Sequence, residues 1–385
     1  MAQTWRITPA KVAVFRAVDA LLTPARLVRS KYASPEKIER ILVVEPWLLG
    51  DVVIATAALK ALRGLFPNAH ITLLGKQHAS DLLQNSTLAD EVIVYDLPWT
   101  ARTSKYDLKR YDFDSIRDLI ARLEARRFDL SIDARMDVRS NILTWLIGAR
   151  HRVGFDYGGG SSLLTAPIPA NPNAKHRVDD WLDLVRALVP YASPTNRSTP
   201  LTLANGCYPE LAVGDDERAW ADEWLVSHGF QGDRPLVVIH GGASDPRRRW
   251  PLASYRKVAH HLQEKWNAEI LFLPEPNDAS QSFDLATATA RVSLREMMAL
   301  MSRANLVLCN DSGPMHIADA LDVPVVAVFM TGNPRWHRPS RPYQRYVGEG
   351  TGHDLLIPPT EEEAIQAADA LLEAARGAHA GTAAQ

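Results

Sequence analysis

From Ile41 onward, hydrophobic residues fall in short runs, and each run is followed by a longer stretch with apolar residues at helical spacing. This alternation is typical of βα units whose strands form a parallel sheet. In the first half it predicts strands at Ile41–Val44, Ile71–Leu74, Val92–Tyr95, Leu130–Ile132 and Val153–Phe155, with helices at Val52–Phe66, Phe113–Arg126 and Val178–Leu188.

The composition changes between the two halves of the chain. Residues 156–175 are rich in Gly, Pro, Ser and Asn, and residues 190–213 contain four prolines, so we place a domain boundary within 190–213. The alternation then resumes and predicts strands at Leu236–Ile239, Ile270–Leu273, Leu306–Leu308 and Val325–Phe329, with helices at Asp215–His228, Leu252–Trp266, Leu294–Arg303, Met315–Leu321 and Glu361–Ala375. The predicted fold class is α/β, with two sheets facing one another across a cleft and ligands bound beyond the carboxyl ends of the strands.

Composition and charge narrow the choice of partners and compartment. The 385 residues carry a formal net charge of -2, so no basic excess points to nucleic acid. Cys207 and Cys309 form neither a CxxC pair nor a disulfide framework, which favours a reducing cytoplasm. We find no secretory signal and no apolar run of the roughly 18–20 residues that a membrane span requires.

Residues 1–40 have a local basic bias, with eight Lys/Arg against three acidic residues. Apolar residues recur among them at mostly helical spacing, which predicts a basic amphipathic extension. Such a helix either lies on an anionic membrane surface or packs on the body of the protein, and the sequence leaves both alternatives open.

The first chemical motif is EPWLLGDVV at 45–53, between a predicted strand and a helix. Gly50 permits a tight loop, and the helix dipole and free amides favour an ionised carboxylate on Asp51. A carboxylate at the carboxyl end of a strand, facing a cleft, suits a general base. Asp51 is also consistent with a simple helix N-cap.

Two further motifs follow strands in the second half and precede helices. In HGGASDPRRRWP at 240–251, small residues let backbone amides approach a phosphate, while Ser244 and the arginines offer donors; the alternative is a solvated loop. In CNDSGPMH at 309–316, the amides around Gly313 suit a diphosphate, and Asp311 and His316 suit a sugar or phosphate. The alternative there is a capping Asp311 with a His316 satisfied in the core.

Several other active-site classes lack their signatures. The sequence contains no Walker A loop, no GxSxG elbow, no HExxH and no Asp-x-Asp pair of the kind that binds a metal through a diphosphate. The motifs fit a metal-independent site in which arginines and helix ends neutralise a leaving diphosphate.

Together and in this order, the three motifs resemble glycosyltransferase family 9, the ADP-heptose:lipopolysaccharide heptosyltransferases. The resemblance spans about residues 40–345, includes the FPNA turn at 66–69, and is strongest in NDSGPMHIA at 310–318. It implies a GT-B fold of two Rossmann-like domains, an acceptor-binding domain at 41–200 and a nucleotide-sugar-binding domain at 214–385.

The resemblance also implies an inverting transfer of heptose from ADP-heptose to a lipopolysaccharide core or lipid A-Kdo acceptor, without metal or cofactor. Asp51 would be the catalytic base. The implied donor-binding residues are Ser244, Arg248, Asp311, Ser312, Gly313 and His316. Arg135 and Arg139, just beyond the strand Leu130–Ile132, are our candidates for the acceptor, although they are equally consistent with surface arginines on a following helix. The enzyme would be cytoplasmic, with peripheral contact to the inner face of the inner membrane.

Three positions depart from the family pattern. Arg248 stands where the family usually has a Lys, which keeps the charge but changes the geometry. PEPND at 274–278 replaces a Gly-rich segment that ends in an acid, and MTGNP at 330–334 replaces a segment that begins Gly-Pro-Thr. Three alternatives therefore stay open: a transferase for another nucleotide sugar or glycan, a non-transferring nucleotide-sugar epimerase, and an inactive binding paralogue.

Overall fold

The protein is described by a computed structural model that covers residues 17–24, 37–101, 107–135, 137–156, 159–169, 176–275, 282–348 and 358–382. The chain divides into two compact units, Met1–Cys207 and Tyr208–Gln385. Each unit has its own parallel sheet and its own buried apolar core.

The first unit is an α/β unit. Its strands are β1 (Arg40–Val44), β2 (His70–Gly75), β3 (Glu91–Val94), β4 (Leu130–Asp133), β5 (His151–Phe155) and β6 (Ala166–Ile168). Its helices are α1 (17–24), α2 (Leu49–Leu65), α3 (Gln77–Leu83), α4 (Phe113–Glu124), α5 (Val138–Ile147) and α6 (Arg177–Arg186).

The second unit repeats this construction. Its strands are β7 (Leu236–His240), β8 (Glu269–Phe272), β9 (Ala288–Thr289), β10 (Leu306–Asn310), β11 (Val325–Val328) and β12 (Arg345–Val347). Its helices are α7 (Asp215–Ser227), α8 (Leu252–Trp266), α9 (Leu294–Met301), α10 (Gly313–Ala320), α11 (Pro334–His337) and α12 (Glu361–Thr382).

Both sheets have the same strand order. The first runs β3-β2-β1-β4-β5-β6 and the second β12-β11-β10-β7-β8-β9, and every pairing is parallel. This is the order of a Rossmann-like sheet, in which the direction of winding reverses between two central strands. The reversal lies between β1 and β4 in the first unit and between β7 and β10 in the second. Ligands of such sheets bind beyond the carboxyl ends of those strands.

The central strands and most helices confirm the predicted α/β pattern, and the differences lie at element ends and sheet edges. Helix α2 begins at Leu49 rather than Val52, which puts Asp51 inside its first turn. Helix α12 continues to Thr382 instead of ending at Ala375. The short edge strands β6, β9 and β12 were not predicted.

The basic extension falls largely outside the described residues, which include 17–24 and 37–40 of it. Within the part described, α1 is helical, and the Asp19 carboxylate accepts a hydrogen bond of 3.3 Å from the Ser162 amide. Leu21 on the same helix is 80% exposed. The segment therefore has a polar contact with the first unit and an apolar side chain in solvent. In the described parts of the chain, no helix combines the length and apolarity needed to cross a membrane.

Candidate active site

In the first unit, the loop after β1 carries two carboxylates. Glu45 directly follows β1 and is completely buried, and its amide donates to the Leu74 carbonyl at 3.0 Å. Asp51 lies in the first turn of α2, where its Oδ2 accepts from the Leu48 amide at 3.3 Å. Asp51 is therefore not the N-cap residue, which is Leu48, but its carboxylate accepts a hydrogen bond from the amide of that residue. This contact leaves Oδ1 to face another group.

That group is Arg135, in the loop after β4. Its Nη2 lies 2.5 Å from Asp51 Oδ1 and 3.3 Å from Glu45 Oε1. The guanidinium carbon lies 5.0 Å from the centroid of the Trp47 ring, a distance at which the cation is attracted to the ring face. One arginine therefore bridges the carboxylates of Glu45 and Asp51 across the winding reversal between β1 and β4.

Burial dominates the electrostatics of this cluster. Burial, together with a smaller effect of the Asp51 charge, raises the pKa of Glu45 to about 7, although Arg135 and Arg177 oppose the shift. Asp133, at the end of β4, accepts a hydrogen bond of 2.6 Å from the Arg135 amide. Burial raises the pKa of Asp133 to about 8 despite that bond. Two carboxyl groups therefore titrate near neutral pH around Arg135.

Arg139 has a different environment. It lies on α5 and forms a two-pronged pair with Asp137, with Nε 2.9 Å from Oδ1 and Nη2 2.6 Å from Oδ2. Its Nη1 lies 3.4 Å from the Tyr111 hydroxyl. Arg135 and Arg139 thus both have carboxylate partners in the first unit, and their predicted contact with an acceptor stays a prediction.

In the second unit, Asn310 joins the two motif loops. Its Oδ1 accepts from the Trp250 amide at 2.9 Å, and its Nδ2 donates to the carbonyls of Gly241 at 2.8 Å and Gly242 at 3.2 Å. Asn310 is fully buried at the end of β10, so these three bonds fix the loop after β7 against the start of α10. The sequence motif contained Asn310, but its connecting role was not predicted.

The next residue, Asp311, pairs with Arg248. Arg248 Nη1 lies 3.2 Å from Asp311 Oδ2 and also donates to the Asp311 carbonyl at 3.4 Å. Burial raises the pKa of Asp311 to about 6, and the Arg248 charge opposes that rise. Ser312 occupies the N-cap position of α10, so Asp311 is not the capping residue. A cation and a buried carboxylate thus stand at the amino end of this helix.

The other predicted residues of the second unit lie on the same two segments. Ser244 is exposed in the loop after β7, Gly313 begins α10, and His316 lies buried one turn further along that helix. The structure therefore brings the motifs at 240–251 and 309–316 together. This is expected, because each motif follows one of the two neighbouring parallel strands β7 and β10. The individual ligand contacts of these residues stay predictions.

Two departures from the family pattern also reach this site. Glu275 lies against Gly242, so closely that a Cβ added to Gly242 would overlap the Glu275 carboxyl group. Gly332 has a φ of +94°, and a Cβ there would lie 3.3 Å from Asp311 Oδ2. Residues of both segments therefore lie close to the motif loops. The hydrophobic periodicity of the sequence does not reveal this proximity.

His240 ends β7 and is buried. Burial lowers the pKa of His240 to about 4, so the imidazole is neutral at physiological pH. Among the described residues, no group of three His, Cys, Asp or Glu side chains is arranged to hold a metal ion.

Replacing Asn310 tests its connecting role. Asn310→Ala leaves the Trp250 amide and two glycine carbonyls without their side-chain partner in a buried site, so we expect a loss of roughly 2–4 kcal/mol in the free energy of unfolding. Chemical denaturation measures this loss. The matched control is Ser244→Ala, which removes an exposed hydroxyl from the same loop and should change stability by less than about 0.5 kcal/mol. Equal stability of the two variants would contradict the role assigned to Asn310.

Glu45 should make stability depend on pH. Because its pKa is raised in the folded state to about 7 from an ordinary 4.5, the stability it contributes is present below the ordinary pKa and is lost as pH rises through about 7. Glu45→Gln, which is always neutral, should therefore match the wild type near pH 4 and exceed its Tm by roughly 2–6 °C near pH 8.5. Thermal unfolding across this range measures the difference. Glu124→Gln, at an exposed position, is the control. A difference in Tm between Glu45→Gln and the wild type that is the same at every pH would contradict the raised pKa of Glu45.

The chain is similar in sequence to proteins of one known family. The family model "Glycosyltransferase family 9 (heptosyltransferase)" matches residues 116–355. The lipopolysaccharide core heptosyltransferase OpsX of Haemophilus influenzae is 24% identical over 303 residues, which cover 74% of this chain and 77% of that protein.

Two solved structures are similar over nearly their whole length. A glycosyl transferase family 9 protein from Veillonella parvula superposes with a TM-score of 0.70 at 24% identity, covering 87% of this chain and 98% of its own. The structure of Escherichia coli ADP-heptose lps heptosyltransferase II superposes with a TM-score of 0.67 at 21% identity, covering 88% of this chain and 99% of its own. These likenesses confirm the GT-B fold. Because the family model spans more than half of the sequence, the chain belongs to glycosyltransferase family 9 and is a glycosyltransferase.

Proposed function

We propose that this enzyme transfers a heptose from ADP-heptose to a hydroxyl group of a lipopolysaccharide core or lipid A-Kdo acceptor. The relatives named for heptosyl transfer support this substrate class. The observation that carries the proposal is the chemistry at the two winding reversals. The first unit has a carboxylate there, Asp51, and the second has a cation at a helix amino end, Arg248.

The donor site is built around α10. Its amino end presents free backbone amides and the positive end of the helix dipole, and Arg248 adds a full charge beside them. Ser244, Ser312 and Gly313 supply further hydroxyl or amide donors near the diphosphate, and Asp311 and His316 hold the donor sugar or phosphates. These groups neutralise the departing ADP without a metal ion, because charge-assisted donors perform that role.

The reaction proceeds as a single inverting displacement. The acceptor oxygen attacks the anomeric carbon and forms the new glycosidic bond while the bond from that carbon to the diphosphate oxygen breaks. The electron pair of the broken bond leaves with ADP, and the hydroxyl proton passes to the Asp51 carboxylate. Attack from the side opposite the leaving group inverts the configuration at the anomeric carbon.

The acceptor lies against the first unit, with Arg135 and Arg139 near its carboxylates or phosphates. Residues 1–40 hold the enzyme at the inner face of the inner membrane, where a glycolipid acceptor is accessible. This segment contains eight basic and three acidic residues, and its Leu21 is exposed. Both features support contact with an anionic membrane surface.

Removal of the base tests the reaction. Asp51→Asn keeps the shape of the side chain but cannot take a proton, so we expect kcat to fall about 10²–10⁴-fold while ADP-heptose affinity is unchanged. ADP release is measured with and without truncated lipopolysaccharide acceptors, and donor affinity by calorimetry. Asp114→Asn, an exposed acid on α4 of the same unit, is the control. Donor binding without any acceptor-dependent release in the wild type would reject heptosyl transfer and direct the search to other nucleotide sugars.

Neighbouring arginines provide a matched test of the donor site. Arg248 pairs with buried Asp311, whereas Arg247 pairs with Asp245 at the exposed edge of the same loop. Arg248→Ala should weaken ADP-heptose binding about 10–100-fold through loss of a charge-assisted bond to the diphosphate. Arg247→Ala should change it less than about threefold. Equal effects in calorimetry would mean that the loop acts only through its overall charge, and sensitivity of turnover to EDTA would contradict metal independence.

A further inference from the structure

Arg135 is shared between two carboxylates in unequal surroundings. Asp51, at 2.5 Å, keeps 19% of its side chain exposed, whereas Glu45, at 3.3 Å, has none of its side chain exposed. Glu45 Oε2 and Arg135 Nε have no hydrogen-bond partner among the residues the structure describes. Among the described residues, the guanidinium is thus the side-chain hydrogen-bond partner of the buried Glu45 carboxyl group.

Other charged groups around the pair come from several elements. Arg177 on α6 faces Glu45 and favours its ionised form. Asp133 at the end of β4 is affected by the charges of both Glu45 and Arg135. On the other side, His78 on α3 is influenced by the Asp51 charge. Of the described side chains, Arg135 is the one that donates a hydrogen bond to the Glu45 carboxylate, so it is the direct connection from Glu45 to Asp51.

We propose that Glu45 is a positioning residue of the transfer reaction, which competes with Asp51 for Arg135 and thereby sets how readily Asp51 accepts a proton. This inference rests on the proposed role of Asp51 as the base. When Glu45 is protonated, it no longer competes for the charge of Arg135, which then makes Asp51 a weaker base. When Glu45 is ionised, it attracts the guanidinium and repels the Asp51 charge, and both effects raise the proton affinity of Asp51.

The competition must act in both directions, because the interaction between two titrating groups is reciprocal. If Asp51 takes part of the charge of Arg135 away from Glu45, then removing the Asp51 charge must make Glu45 easier to ionise. The raised pKa of Glu45, about 7, places this titration within the range in which the enzyme can be assayed.

The first test needs no turnover. The protonated carboxyl of Glu45 is followed by infrared titration of the full chain, and its band is assigned by its absence in Glu45→Gln. In Asp51→Asn we expect the midpoint of that band to fall by about one pH unit or more relative to the wild type. Asp114→Asn should leave it unchanged. An unchanged midpoint in Asp51→Asn would overturn the proposal, and so would the lack of any band that disappears in Glu45→Gln.

The second test separates positioning from a purely structural role. In the wild type, kcat with ADP-heptose should rise with pH through the titration of Glu45. Glu45→Gln should match the wild type near pH 5.5 and fall about three- to tenfold below it near pH 8.5, with the KM for the donor unchanged. A constant ratio of the two kcat values across this range would overturn the proposal.

The outcomes distinguish this inference from the proposed function. Lack of wild-type turnover with every acceptor would reject heptosyl transfer, and the infrared titration would still decide whether Glu45 and Asp51 are coupled through Arg135. Normal wild-type turnover, with kcat of the wild type and of Glu45→Gln changing in parallel with pH, would retain the transferase function and reject the role of Glu45.

Arg135→Lys provides a second variant. Thermal unfolding checks that each variant is folded. A lysine ammonium is a compact, strongly hydrated charge on a flexible stem, so it should not be held between the two carboxylates as the guanidinium nitrogen is. Arg135→Lys should therefore flatten the rise of kcat with pH, and a wild-type profile in this variant would also overturn the proposal.

Discussion

The reversal of winding direction in each sheet is the constraint on which the candidate site residues of each unit depend. Parallel strands end at one edge of their sheet, and at a reversal the two neighbouring connections lead to opposite faces, which leaves the backbone open between them. The loops after β1 and β4 meet in this way in the first unit, and the loops after β7 and β10 meet so in the second. Every group to which we assign chemistry belongs to one of these four loops or to the helix that begins there.

The two units use different interactions to hold together the two loops that meet at the winding reversal. In the second unit, the neutral amide of Asn310 offers both an acceptor and donors, and it uses them on three backbone groups without burying a charge. In the first unit, the corresponding connection is ionic, since Arg135 joins Glu45 to Asp51. A buried ion pair must offset the desolvation of its members, and its strength depends on their protonation. Beside its Arg248–Asp311 ion pair, the second unit thus has a neutral connection that is insensitive to pH, whereas the connection described for the first unit is ionic and responds to pH.

The sequence predicted those parts of the fold that follow from local pattern. The central strands are apolar runs buried on both faces, and their helices are long enough to show a period, so both were predicted within a few residues. The edge strand β6 contains Pro167 and β9 has only two residues, so neither shows alternation. Asp51, Arg248 and Asp311 were predicted because they lie in recognisable segments directly after strands. Glu45 was quoted in the first motif but given no role, because its burial is compensated by an arginine 90 positions away that was assigned to the acceptor.

The contact between Gly242 and Glu275 makes the two positions depend on each other. The carboxyl group of Glu275 fills the space that a side chain at position 242 would occupy, and the two residues belong to loops after neighbouring strands, β7 and β8. A larger residue at 242 would displace the flexible carboxyl end of Glu275. Substitutions at the two positions should therefore be non-additive in their effect on stability, because a change at either one alters the space open to the other.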